Sequence, residues 1–197
     1  AAMENRDASV DLSGFSIMET DWGSIWPNVA EHNPDLFYML MATYYKDAQG
    51  VIQRVDFTYN PNYNASHVAA YKAAVQHTVN EVIRGSMSDE QKALALHDYL
   101  VQHMEYDQNA FNNSGLEKRN AYEALVNGIG VCEGYALAYA ALLKAVNIEV
   151  DFCESRSMNH IWNYVKLDGN WYHADLTYDD ATAASQVGET GYVKHTY

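Results

Sequence analysis

The sequence predicts an α+β protein, with helices and antiparallel strands in separate stretches of the chain. Three observations carry this. A hairpin pattern lies between Leu36 and Asn60, two amphipathic helices follow between Ala65 and Met104, and a third helix from Cys132 leads into three strands joined by short turns.

Residues 21–34 mix helix and turn signals. LFYMLMATYY and VIQRVDFTYN flank Asp47-Ala48-Gln49-Gly50, which reads as a β-hairpin ended by Asn60-Pro61-Asn62. A helix is predicted from Ala65 to Arg84, with Val68, Tyr71, Val75, Val79 and Val82 on one face and Gly85 as its stop. Ser88-Asp89-Glu90-Gln91 spells a capping box, opening a helix whose apolar face is Ala93, Leu96, Leu100 and Met104. Residues 107–119 read as a polar loop and 120–126 as a short helix before the turn Asn127-Gly128-Ile129-Gly130. From Cys132 to about Val146 the chain is apolar nearly all round, which marks a buried helix, with Asn147 as a left-handed stop. Strands are predicted over 148–154, 160–167 and 170–177, the last two joined by Asp168-Gly169, and a final strand at GYVKHTY.

Length and composition fit one compact unit, divided as an N-terminal elaboration over 1–64 and a core over 65–197. Net charge is −14 and no Lys/Arg cluster occurs, which argues against nucleic acid and anionic membranes as partners. No apolar run approaches the length of a membrane span, so no membrane insertion is expected. Two cysteines are too few for a disulfide scaffold or a four-cysteine zinc site. Acidity and sixteen tyrosines suit a secreted or cell-surface protein whose leader is absent from this sequence.

Cys132 opens a helix after glycines that let the backbone turn. The amides and partial positive charge of a helix start favour a thiolate, and the N–H of Cys132 can donate to an oxyanion. A lone cysteine there is more often a packing residue, so its neighbours decide. A two-residue Asp168-Gly169 turn sets Leu167 against Asn170, Trp162 against Asp175 and His160 against Thr177. His160 and Asp175 are then diagonal neighbours on one face, roughly 7–8 Å apart along the backbone. A carboxylate can hold one imidazole nitrogen at that spacing while the other faces a nucleophile. A slip of one residue would put the two on opposite faces.

These blocks, NGIGVCEGYALAYAALLKAVNIEV and NHIWNYVKLDGNWYHADLTYDD, closely resemble the core of the transglutaminase-like superfamily. HDYLVQHMEYD resembles the usual upstream helix, and HNPDLFYM resembles the N-terminal part of secreted bacterial members. The resemblance implies a papain-like core, with the nucleophile helix packed on an antiparallel sheet. It implies Cys132 as nucleophile, His160 as base and acid, and Asp175 as orienter. Some members add a side-chain oxyanion donor upstream of the cysteine, for which Tyr122 and Asn127 are candidates here. The family's aromatic residue in the third block is Tyr178 in this chain.

The function expected is acyl transfer through a thioester on peptide or protein amides, with hydrolysis favoured because nothing in the sequence marks calcium sites or an amine tunnel. Glutamine cross-linking by an amine acceptor stands as an alternative, as does a non-catalytic binding or assembly module. The expected partner is a peptide or protein substrate, including cell-wall or surface-associated ones. No cofactor and no metal are expected. Cys153 reads as a core thiol, and a Cys132–Cys153 disulfide would silence the nucleophile. His32, His67, His77, His97, His103, His173 and His195 lack metal-ligand spacing, although His173 shares a face with Asp175. Asp179-Asp180 reads as a solvated turn rather than a cation site.

Overall fold

A computed structural model describes residues 1–109 and 119–180, arranged in two compact units, Ala1–Ser66 and His67–Tyr197. In the first unit, β1 (Ser9–Asp11) and β2 (Met39–Lys46) flank β3 (Ile52–Tyr59) in an antiparallel sheet, with α1 (Trp22–Glu31) between β1 and β2. The predicted hairpin is β2–β3. Its turn is tied by Asp47 Oδ1, which accepts from the Gln49 and Val51 amides at 3.0 and 2.9 Å. The three-residue β1 was not legible, being too short to show alternation. Ile52 and Val55 are buried in this sheet, and the Trp22 ring stacks on Trp26 and meets Tyr44 at 5.3 Å.

The second unit holds α2 (Ala65–Val82) from His67 onward, α3 (Asp89–His103), β4 (Glu105–Tyr106), α4 (Ala121–Asn127), β5 (Ile129–Gly130) and α5 (Cys132–Ala145). It continues with β6 (Val150–Ser155), β7 (His160–Leu167), β8 (Asn170–Ala174) and the single turn α6 (Leu176–Asp179). The capping box forms as spelled: Ser88 Oγ accepts from the Gln91 amide, and Gln91 Oε1 accepts from the Ser88 amide. Along α5, Tyr135, Ala138, Tyr139, Leu142 and Leu143 are buried against Leu96 and Leu100 of α3 and Val150 and Val165 of the sheet. Burying each leucine contributes about 1.5–3 kcal/mol, so this layer fixes where α5 lies on the strands. Asn147 stops the helix with φ of 61°, as predicted.

The antiparallel order is β6-β7-β8, and the mixed helix-and-sheet architecture is the α+β, papain-like core expected. Leu167 pairs with Asn170 and Tyr164 with His173, which is the predicted register. Asp168 and Gly169 both take positive φ, 50° and 80°, and so make the tight turn that sets it. One expectation needs correction. The third strand does not run to Thr177 but ends at Ala174, because Asp175 caps a helical turn by accepting from the Tyr178 amide at 3.3 Å. The predicted strand at GYVKHTY, and most of the 107–119 loop, lie outside the described residues. Among the described residues no helix is long and apolar enough to cross a membrane.

Candidate active site

The chain reaches Cys132 through a constrained approach. β4 and β5 pair in parallel, Glu105 with Ile129 and Tyr106 with Gly130. Gly128 turns the chain into β5 with φ of 67°, and a Cβ there would sit 2.9 Å from the His103 carbonyl oxygen. Only glycine fits that approach. Val131 is the N-cap of α5 and offers no side-chain acceptor to the first turn. No N-cap side chain therefore competes for the first-turn amides, whose dipole favours a negative charge at Cys132. Cys132 is partly exposed, and both cysteines are free thiols, so no disulfide masks it.

His160 begins β7 and Asp175 follows β8. His160 Nε2 donates to Asp175 Oδ2 at 2.7 Å, and the Asp175 side chain is nearly buried. This closes the diagonal predicted from the hairpin, with the carboxylate held by a helix cap rather than by a strand. The bond occupies Nε2, and the Cys132 side chain acts on the same imidazole. Burial alone would lower the His160 pKa. Hydrogen bonds and charge from Asp175 and Cys132 outweigh it and push the value up to about 9. The imidazole is then protonated at neutral pH, as a general acid at this position requires.

Aromatic rings frame the histidine. Trp162 stacks on it at 5.4 Å between centroids and Tyr178 meets it edge-on at 4.9 Å. The Trp162 indole N–H donates to His173 Nδ1 at 2.7 Å, so His173 carries an unprotonated Nδ1 in this contact and steadies the stacked ring. From the opposite face of β7, Asn163 is buried and its amide donates to the Ala136 carbonyl at 3.1 Å. That bond ties the histidine strand to the cysteine helix.

The structure places other candidates differently. The amide of Asn127 donates to Glu123 Oε2 at 2.9 Å, and the Tyr122 ring meets His67. Tyr106, which sequence reasoning missed, is the tyrosine that feels the Cys132 charge. Burial first, then that charge, push its hydroxyl up to about 12, so it stays protonated and able to donate. Its only sequence signal is its place in HMEYD at the end of the α3 helix. Asp179 and Asp180 are not a solvated turn; both are buried. His97 Nε2 bonds Asp179 Oδ2 at 3.0 Å, and the Tyr135 hydroxyl donates to Asp180. Among the described residues no group of three or more His, Cys, Asp or Glu side chains could hold a metal ion.

Residues 76–176, just over half the sequence, match the model of the transglutaminase-like superfamily, and that span contains Cys132, His160 and Asp175. The chain belongs to the transglutaminase-like superfamily. Among solved structures, this superfamily member is similar to a TGase at 14% identity and a TM-score of 0.46, over 81% of this chain and 47% of that one. It is also similar to a candidate cysteine protease from Cytophaga hutchinsonii at 15% identity and a TM-score of 0.41, over 70% of this chain and 61% of that one. A candidate protease from Parabacteroides distasonis aligns at 13% identity and a TM-score of 0.43, over 68% of this chain and 31% of that one. The chain thus spans less than two thirds of the length of each. No curated protein matches the sequence.

Proposed function

We propose that this transglutaminase-like protein hydrolyses peptide or protein amides through a thioester on Cys132. The observation that carries the proposal is the uncapped start of α5 at Cys132, set against a His160 whose far nitrogen is fixed 2.7 Å from Asp175. The Cys132 thiolate attacks the amide carbonyl carbon, forming the S–C bond and an oxyanion. The Cys132 N–H and the Tyr106 hydroxyl donate to that oxyanion. The oxyanion collapses, the C–N bond breaks, and His160 gives its proton to the departing amine. Water then attacks the thioester as His160 takes its proton, the S–C bond breaks, and the acid leaves with the thiolate–imidazolium pair restored. Partial exposure of Cys132 leaves the thioester open to water as the acceptor.

The test compares the protein with its Cys132→Ala variant on a peptide library containing glutamine, with and without a primary amine. Loss of hydrolysis in the variant, with unmodified acid as the main product of the parent even when amine is present, is the expected result. Full activity in the variant would remove Cys132 from the mechanism. Amine incorporation dominating over acid would replace hydrolysis by cross-linking.

A further inference from the structure

The one-turn helix α6 carries the orienting carboxylate, yet four residues are far too few to hold a helical shape by themselves. Its side chains show what holds it. Leu176 is buried in the core of the unit, and three aspartates bracket the turn, each engaged with a different element. Asp175 takes His160 from β7. Asp179 takes His97 from α3, and Asp180 takes the Tyr135 hydroxyl from α5, the helix that begins at Cys132. Asp179 and Asp180 are 2% and 1% exposed and Tyr135 is 1%, so these contacts are sealed from water.

The link from this anchor to the site is one bond long. The Asp179 amide donates to the Asp175 carbonyl at 3.1 Å, and the Asp180 amide donates to the Leu176 carbonyl at 3.0 Å. His97 is itself fixed on both sides, with Nδ1 on Asp98 Oδ1 at 3.0 Å, and its ring meets the Tyr139 ring edge-on. Burial alone would depress its pKa, but the hydrogen bonds and charges of Asp179 and Asp98 outweigh it and raise it, which favours the protonated ring between the two carboxylates. Removing His97 would leave the Asp179 carboxylate buried without this partner, so the pair holds the turn in one arrangement.

We infer that His97 and Tyr135 are positioning residues for the proposed reaction: acting through Asp179 and Asp180, they lock the α6 turn so that Asp175 Oδ2 stays aimed at His160 Nε2. Neither touches the reacting atoms. The inference rests on the triad reading above, and the two can fail separately.

The experiment follows His160 in Tyr135→Phe, Asp179→Asn, His97→Ala and His97→Gln proteins, using the imidazole proton resonance across pH and kcat and KM on an amide substrate. Tyr135→Phe keeps the ring and removes only the hydroxyl. It is expected to lower the His160 midpoint by about one pH unit and kcat by about tenfold or more, with KM unchanged. His97→Ala is expected to do the same, and His97→Gln, whose amide can donate to Asp179, to recover most of the loss. Should His97→Ala not fold, Tyr135→Phe and Asp179→Asn give the same reading. Folded Tyr135→Phe and Asp179→Asn proteins with the parent His160 midpoint and kcat would overturn the positioning role while leaving the triad intact. A Cys132→Ala protein with full activity would instead overturn the triad reading itself.

Discussion

Replacing Asp175 by Asn removes one negative charge and leaves an amide oxygen that can still accept from His160 Nε2. In the parent, His160 rises from an ordinary 6.5 to about 9 against a burial effect that pulls the other way. Four contributions raise it, a hydrogen bond and a charge from each of Asp175 and Cys132, and the hydrogen bond to Asp175 is the largest of them. Without that charge the midpoint is expected to fall by about one to two pH units, toward the value burial and Cys132 alone allow. The alkaline limb of kcat/KM reports His160 in the free enzyme, since activity is lost as the imidazolium deprotonates. That limb is therefore expected near pH 9 in the parent and at lower pH in Asp175→Asn. The maximal kcat/KM also drops, on the order of 10²-fold, because the ring is less firmly oriented. The assay is a pH profile of amide hydrolysis, paired with direct titration of the His160 resonance. A parent midpoint near 6.5, or an Asn variant whose limb stays near 9, would refute the electrostatic reasoning.

Tyr106→Phe should cost about 10²–10³-fold in kcat with little change in KM, measured on an amide substrate, if its hydroxyl serves the oxyanion. Gly128→Ala brings a Cβ to 2.9 Å from the His103 carbonyl at a φ of 67°. A loss of about 2–3 kcal/mol is expected in denaturant unfolding, together with slower alkylation of Cys132. Leu142→Ala, at a site with no exposed surface, should destabilise by about 2–5 kcal/mol in the same unfolding measurement. His97 and His160 both have raised pKa values when folded. Their stabilisation is complete below about 6.5 and is lost as pH rises through the folded values. For His160 the window is 6.5 to about 9. Thermal scans should accordingly show a steeper loss of stability across that window in the parent than in a His160→Gln protein.

Much of this was legible in the sequence where the signal is local. The Asp168-Gly169 turn dictates the β7–β8 register, and with it the shared face of His160 and Asp175. The capping box at Ser88 and the glycine-led start at Cys132 are equally local, and both formed as spelled. Asp175 was placed correctly beside His160 but for an incomplete reason. The strand pattern continues through Thr177, and nothing in it announces that the carboxylate caps a turn. Asp179 and Asp180 looked like solvent-facing charges because their partners lie far away in sequence, His97 by 82 residues and Tyr135 by 45. The spacing of Asp175 and Asp179, four apart on a turn, was the one available hint. Tyr106 was hidden for a similar reason, since only the pairing of β4 with β5 brings it beside the cysteine helix.

The central claim is that Cys132 carries the acyl group. Intact-mass and peptide-mapping spectrometry on an acid-quenched reaction with an amide substrate tests it most directly. A mass increase equal to the substrate's acyl part, located on Cys132 and removed by hydroxylamine as a thioester is, is the predicted result. Sustained turnover with Cys132 unmodified, or an adduct on Cys153 instead, would contradict it.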